Sequence, residues 1–162
     1  MQVPQGWIIA KNSKTSESTA KTRRKLSQME KRAEEAEYEF LIADKPINTP
    51  AHLTHSVSLS TVDCSWDKSS HATEDYLDSF VGDFVERANF RPIATPVLVK
   101  LGGKSFYRAD LELNAAADKL HVAVFVTNKK GHILLMVIST DSEAEIDKVL
   151  ALIGLTGTKV GH

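Results

Sequence analysis

The chain carries one cysteine, Cys64, so no intramolecular disulfide can form and an oxidising compartment gains no support from it. No apolar run approaches the roughly 18 residues of a membrane-spanning helix. The longest apolar stretch near the N-terminus, Trp7-Ile8-Ile9-Ala10, is too short for the core of a secretory signal. Neither charge sign dominates. The formal net charge is −1, which removes the overall drive toward nucleic acid or an anionic membrane. There is no Gly-x-Ser-x-Gly nucleophile elbow, no internal repeat and no low-complexity tract. These absences make a cytoplasmic location the default expectation. An exported protein is the alternative if a leader precedes this sequence.

What is present is ordinary globular composition: 162 residues, 42% hydrophobic and 25% charged. That length predicts one domain over 1–162, with about 1–156 ordered and 157–162 a tail. A chain of this size buries about 68–70% of its unfolded surface, enough to fold without staples.

Hydrophobic spacing supplies the elements. Trp7-Ile8-Ile9 predicts a short strand after a turn at Pro4-Gln5-Gly6. Residues 13–37 place Leu26, Met29, Ala33 and Ala36 at helical spacing, a thinly apolar helix with bases early and acids late, against the helix dipole. Tyr38 to Ala43 predicts a strand. Leu53, His55, Val57, Leu59 and Thr61 alternate with Thr54, Ser56, Ser58 and Ser60, which predicts a strand with one apolar and one hydroxyl-rich face. Thr73 is placed to cap a helix whose apolar stripe is Leu77, Phe80, Val81, Phe84, Val85 and Ala88, and Pro92 and Pro96 stop any continuation. Strands follow at 97–101 and 106–113, joined through Gly102-Gly103. Residues 120–127 and 132–139 are apolar at both parities and predict central strands covered on two sides, with Asn128-Lys129-Lys130-Gly131 as the hairpin between them. Ser142 and Glu145 have capping-box spacing, Ile146, Val149, Leu150 and Ile153 form the last helical stripe, and Gly154 stands where a terminating glycine belongs.

Short connections between strands favour antiparallel pairing, and helices interrupting the strand order cover the faces. The expected class is α+β: an α/β/α sandwich with a central, mostly antiparallel sheet flanked by helices.

With that order, the chain resembles the PsbP-like superfamily, which includes the extrinsic PsbP protein of photosystem II and a Ran-binding nuclear import factor. The resemblance is carried by Val3-Pro4-Gln5-Gly6-Trp7, by Gly102-Gly103-Lys104-Ser105-Phe106-Tyr107-Arg108, and by Gly131-His132-Ile133-Leu134 followed by the helix over 142–153. It implies a sheet between helices and a lineage that binds partners instead of catalysing reactions. It carries no site across.

Candidate chemistry is sparse. Gly103-Lys104-Ser105 matches the end of a phosphate-binding loop, but Leu98 stands where the first glycine belongs and a strand follows where a helix is needed. His52, His55 and His71, with Asp63 and Cys64 between them, are the densest set of potential metal ligands. His-x-x-His on a strand points its rings to opposite faces, and structural zinc asks for four convergent ligands. No cofactor is expected. Lys21 to Lys25 reads as a solvated helix face without the aromatic interleaving that single-stranded nucleic acid favours. Arg108 and Asp110 share a strand face and are expected to form a surface pair contributing about 0–1 kcal/mol. Trp66 lies in a polar loop. The expectation is a non-catalytic binding or protein-interaction module that meets a protein or small-ligand partner through Trp66, Arg108 and Asp110. The alternative is a small enzyme or metal-dependent protein built on the His52/His55/His71 region. The oligomeric state is not legible.

Overall fold

A computed structural model describes residues 3–10, 37–45, 55–64, 71–113, 119–155 and 157–159. The helix expected over 13–37 lies outside the described residues, except that Glu37 opens a strand. Trp66 and His52 also lie outside them. The elements run β1 (Ile8–Ala10), β2 (Glu37–Ala43), β3 (Ser56–Asp63), α1 (Ala72–Ala88), β4 (Phe90–Pro92), β5 (Val97–Leu101), β6 (Lys104–Leu113), β7 (His121–Lys129), β8 (His132–Thr140), α2 (Glu143–Leu152) and β9 (Gly157–Lys159).

Among the described residues all nine strands join one antiparallel sheet in the order β1-β2-β3-β8-β7-β6-β5-β9, with β4 pairing β6 beside that path. The sheet and the two described helices make the fold α+β. β7 and β8 are central, as their doubly apolar sequences predict. Val122, Val124, Val126, Ile133 and Leu135 pack with Tyr76 and Leu77 of α1, while Ala123, Phe125, Met136 and Ile138 pack with Ile146, Val149 and Leu150 of α2. Period-two alternation thus divides the apolar side chains of each central strand between two clusters, each containing one helix.

Turn chemistry matches the glycines. Lys130 and Gly131 have φ 55° and 80°, the two left-handed positions of a type I′ hairpin, and Asn128 Oδ1 accepts from Gly131 N–H at 3.2 Å. Gly102 and Gly103, with φ 54° and 80°, close the β5–β6 hairpin the same way. Gly154 ends α2 at φ 77°: its N–H reaches the Ala151 carbonyl at 3.0 Å, and Leu155 N–H reaches Leu150 at 2.8 Å, a full Schellman cap.

Several expectations are corrected. Helix α1 begins at Ala72 after His71, so Thr73 lies inside it and caps nothing. Its apolar stripe does not lie flat along its length. Tyr76 and Leu77 are buried, Phe80, Val81 and Phe84 are half-buried, and Val85 and Ala88 are exposed. Ser142 occupies the N-cap of α2, but its side chain makes no capping bond, and the Glu145 carboxylate pairs with Lys148 instead of reaching back. Helix α1 does stop before Pro92, and Pro92 ends β4, a short strand off the main path that was not expected, where a missing N–H is tolerated. Residues 157–159 pair with β5, so the expected tail starts with a strand. The hydroxyl-rich face of β3 is buried toward the Asp63 end of the strand, on the side of the α1 cluster. Ser60 is only 2% exposed and Val62 joins the α1 cluster.

Candidate functional site

Strand β6 has one apolar and one charged parity. Tyr107, Ala109, Leu111 and Leu113 turn to the α1 cluster. Phe106 turns to the α2 cluster, and period two places Arg108, Asp110 and Glu112 on that same face. Cross-strand register sets their neighbours. Arg108 stands opposite Phe125 on β7 and Val97 on β5, Asp110 opposite Ala123, and Glu112 opposite His121 and Arg91.

The Arg108–Asp110 pair forms, but not on the surface as expected. Arg108 is 8% exposed. Its Nε donates to Oδ2 of Asp110 at 2.9 Å and lies 3.0 Å from Oδ1, and Nη2 reaches Oδ1 at 2.8 Å. The guanidinium carbon sits 5.4 Å from the centroid of the Phe125 ring, and Nη1 is 3.5 Å from Oδ1 of Asp147 on α2. A planar fork bonded along one edge, resting on an aromatic face and touched by a second carboxylate is fixed in position and direction. The reason for burial is the position of β6 in the sheet: β5 and β7 flank it at this level and α2 approaches from above.

The pair is one part of a larger polar patch. Arg91 on β4 bonds and ion-pairs with Glu112. The Nδ1 of His121, cross-strand from Glu112, is buried with no hydrogen-bond partner among the described residues. Asp147 is largely exposed at the edge. Sequence reasoning stopped at Arg108 and Asp110. Glu112 was available from the same period-two pattern. Arg91, His121 and Asp147 come from other elements, and only the register and the helix placement bring them here.

The described histidines do not converge. His55 precedes β3 and sits between two strand ends: its Nδ1 is 3.3 Å from Asp44, its Nε2 is 3.5 Å from Asp141, and its backbone N–H donates to Asp44 Oδ1 at 2.8 Å. His71 lies instead at the start of α1 with its Nδ1 3.0 Å from Glu74 Oε2. Among the described residues no group of three or more His, Cys, Asp or Glu side chains could hold a metal ion. Cys64 is buried, and its backbone N–H bonds to the Gly131 carbonyl at 2.7 Å.

Glu74 joins His71 to Tyr107. The Tyr107 hydroxyl donates to the Glu74 carboxylate, which holds that carboxyl below its ordinary 4.5, and His71 lowers it further. The same bonds raise His71 above 6.5 and Tyr107 above 10.0. A depressed Glu74 contributes stability above its unfolded value, lost as pH falls through the folded one. A raised His71 contributes below its unfolded value, lost as pH rises through the folded one. Both contributions are therefore whole between pH 4.5 and 6.5. In Glu74→Gln, NMR titration of the His71 ring moves to a lower midpoint than in the native chain. An unmoved midpoint would remove Glu74 as the cause.

No family model matches the chain, and no curated protein matches it. Solved structures do. The fold is similar to that of LpqN, involved in cell envelope biogenesis of Mycobacterium tuberculosis, over 97% of this chain and 81% of that one, with a TM-score of 0.50 at 15% identity. It is also similar to cyanobacterial PsbP (CyanoP) from Synechocystis sp. PCC 6803, over 97% of this chain and 84% of that one, with a TM-score of 0.52 at 14% identity. The chain has a PsbP-like fold. No helix among the described residues is long and apolar enough to cross a membrane.

Proposed function

We propose that the chain is a single-domain, non-catalytic binding module. Its α/β/α sandwich would present the patch around Arg108 and Asp110, rimmed by Arg91, Glu112, His121 and Asp147, to a protein or small-ligand partner. The observation that carries this is the fixed Arg108 guanidinium. It is held by Asp110 and Phe125, with the exposed Asp147 carboxylate at its outer nitrogen. Such a group costs little ordering entropy on binding, and arginine is over-represented among the residues that dominate interfaces. The pairing of Arg108 and Arg91 with carboxylates gives a surface of fixed, alternating charge suited to orienting a partner.

The test is a panel of rim variants, Arg91→Ala and Asp147→Ala, with Trp66→Ala added for the loop tryptophan. Each is checked for native circular dichroism and compared with the native chain in crosslinked pull-downs. Loss of the same specific partner in the two rim variants supports the patch. An unchanged set of partners discards it, and turnover in hydrolase or transferase screens discards the non-catalytic reading.

A further inference from the structure

The net charge is −1, yet several lysines gather at one end of the sheet. Tyr107 on β6 pairs with Val126 on β7. Three residues further toward one end, β6 begins at Lys104 and β7 finishes at Lys129. The β5–β6 and β7–β8 turns therefore project from the same end of the sheet. That end carries Lys100, Lys104, Lys129 and Lys130, with His132, all exposed. The four lysines have no ion-pair partner among the described residues. The acid nearest them in register is Asp63, opposite His132.

An apolar group stands at the same end. Helix α2 exits toward the β5–β6 turn, because Leu155 Cδ2 lies 3.3 Å from where a Cβ on Gly102 would stand. The last residue of that helix, Leu152, is 53% exposed.

We propose that this end of the sheet docks on an anionic lipid surface. Lysine ammoniums are point charges suited to a diffuse field of headgroups, not to bidentate recognition of one group. The tip residues 100–105 and 128–132 contain no Phe, Tyr or Trp on which nucleic-acid bases would stack. An exposed leucine beside the turns supplies an apolar contact that a polyanionic peptide would not use, whereas interfacial lipid would. Docking is peripheral, and it is independent of the Arg108 patch, which extends along β6 away from Lys104.

The probe is vesicles of phosphatidylcholine with or without phosphatidylglycerol, measured by co-sedimentation. The full chain binds the anionic vesicles and is released by high salt, which shortens the screening length from about 10 Å at 0.1 M to about 3 Å at 1 M. Each lysine near such a surface is worth roughly fivefold in binding, so Lys104→Glu/Lys129→Glu weakens it by roughly 25-fold or more. Lys119→Glu, an exposed site at the start of β7 and the other end of the sheet, changes it less than twofold. Leu152→Ser weakens vesicle binding and leaves any binding to polyglutamate unchanged. No binding to anionic vesicles, an equal loss in Lys119→Glu, or tighter binding to polyglutamate or an oligonucleotide than to vesicles overturns the proposal.

Discussion

Phe125→Ala lowers the unfolding free energy by about 4 kcal/mol, within the range of large-to-small changes in packed aromatic sites. Phe125 is 0% exposed, on a central strand, with Arg108 opposite it on one side and Met136 on the other. The loss has two parts. One is the cavity left beneath α2, since Phe125 belongs to the cluster with Ile146, Val149 and Leu150. The other is the aromatic face under the Arg108 guanidinium, a contact of about 0.5–2 kcal/mol. Phe125→Leu separates them. It keeps most of the volume and removes the ring, so it is expected to cost about 2 kcal/mol, half the alanine effect. Urea unfolding checks both through the midpoint at unchanged slope. A cost below 1 kcal/mol for Phe125→Ala would mean that the site collapses and that β7 is not a rigid central strand.

Phe125 also shows what the sequence made legible. A run apolar at both parities has to be covered twice, and that single inference placed β7 and β8 at the centre with their apolar side chains divided between two clusters. Glycines at 102, 103, 131 and 154 marked turns and a cap because no other residue adopts those φ values cheaply. The failures share a cause as well. Arg108 read as a surface group, and the burial of Ser60 went unread, because alternation tells which residues share a face, and not how thickly that face is covered. Coverage depends on strand order and helix placement, and β3 beside β8 is a pairing across 69 to 83 positions of chain. The candidate site was half legible for the same reason: Arg108, Asp110 and Glu112 follow from one strand's period, but Arg91, His121 and Asp147 arrive from three other elements.

Asp110→Ala is expected to cost about 3 kcal/mol, although the residue it removes is a charged one on a strand. Its effect is exerted through Arg108, whose side chain is 10% exposed and would be left, among the described residues, with Asp147 as its one carboxylate partner, 3.5 Å away. A buried charge deprived of its partner costs about 3–5 kcal/mol, and the remaining exposure of the pair, 10% and 16%, places this site at the lower end. Arg108→Met removes the charge and keeps much of the stem that packs beside Phe125, so it is expected to cost less, about 1–2 kcal/mol. The double variant Arg108→Met/Asp110→Ala should then be more stable than Asp110→Ala alone, a sign that no additive account produces. A cost for the double variant equal to the sum of the two single costs would show that the aspartate acts independently of Arg108. Asp147→Ala belongs to the opposite regime: its side chain is 76% exposed, and an ion pair of that kind is worth below about 1 kcal/mol. The contrast matters for function. Loss of binding in Asp110→Ala is ambiguous, because the guanidinium and its surroundings rearrange. Asp147→Ala keeps the fold and changes only the outer charge, so a partner lost on that substitution is lost from recognition.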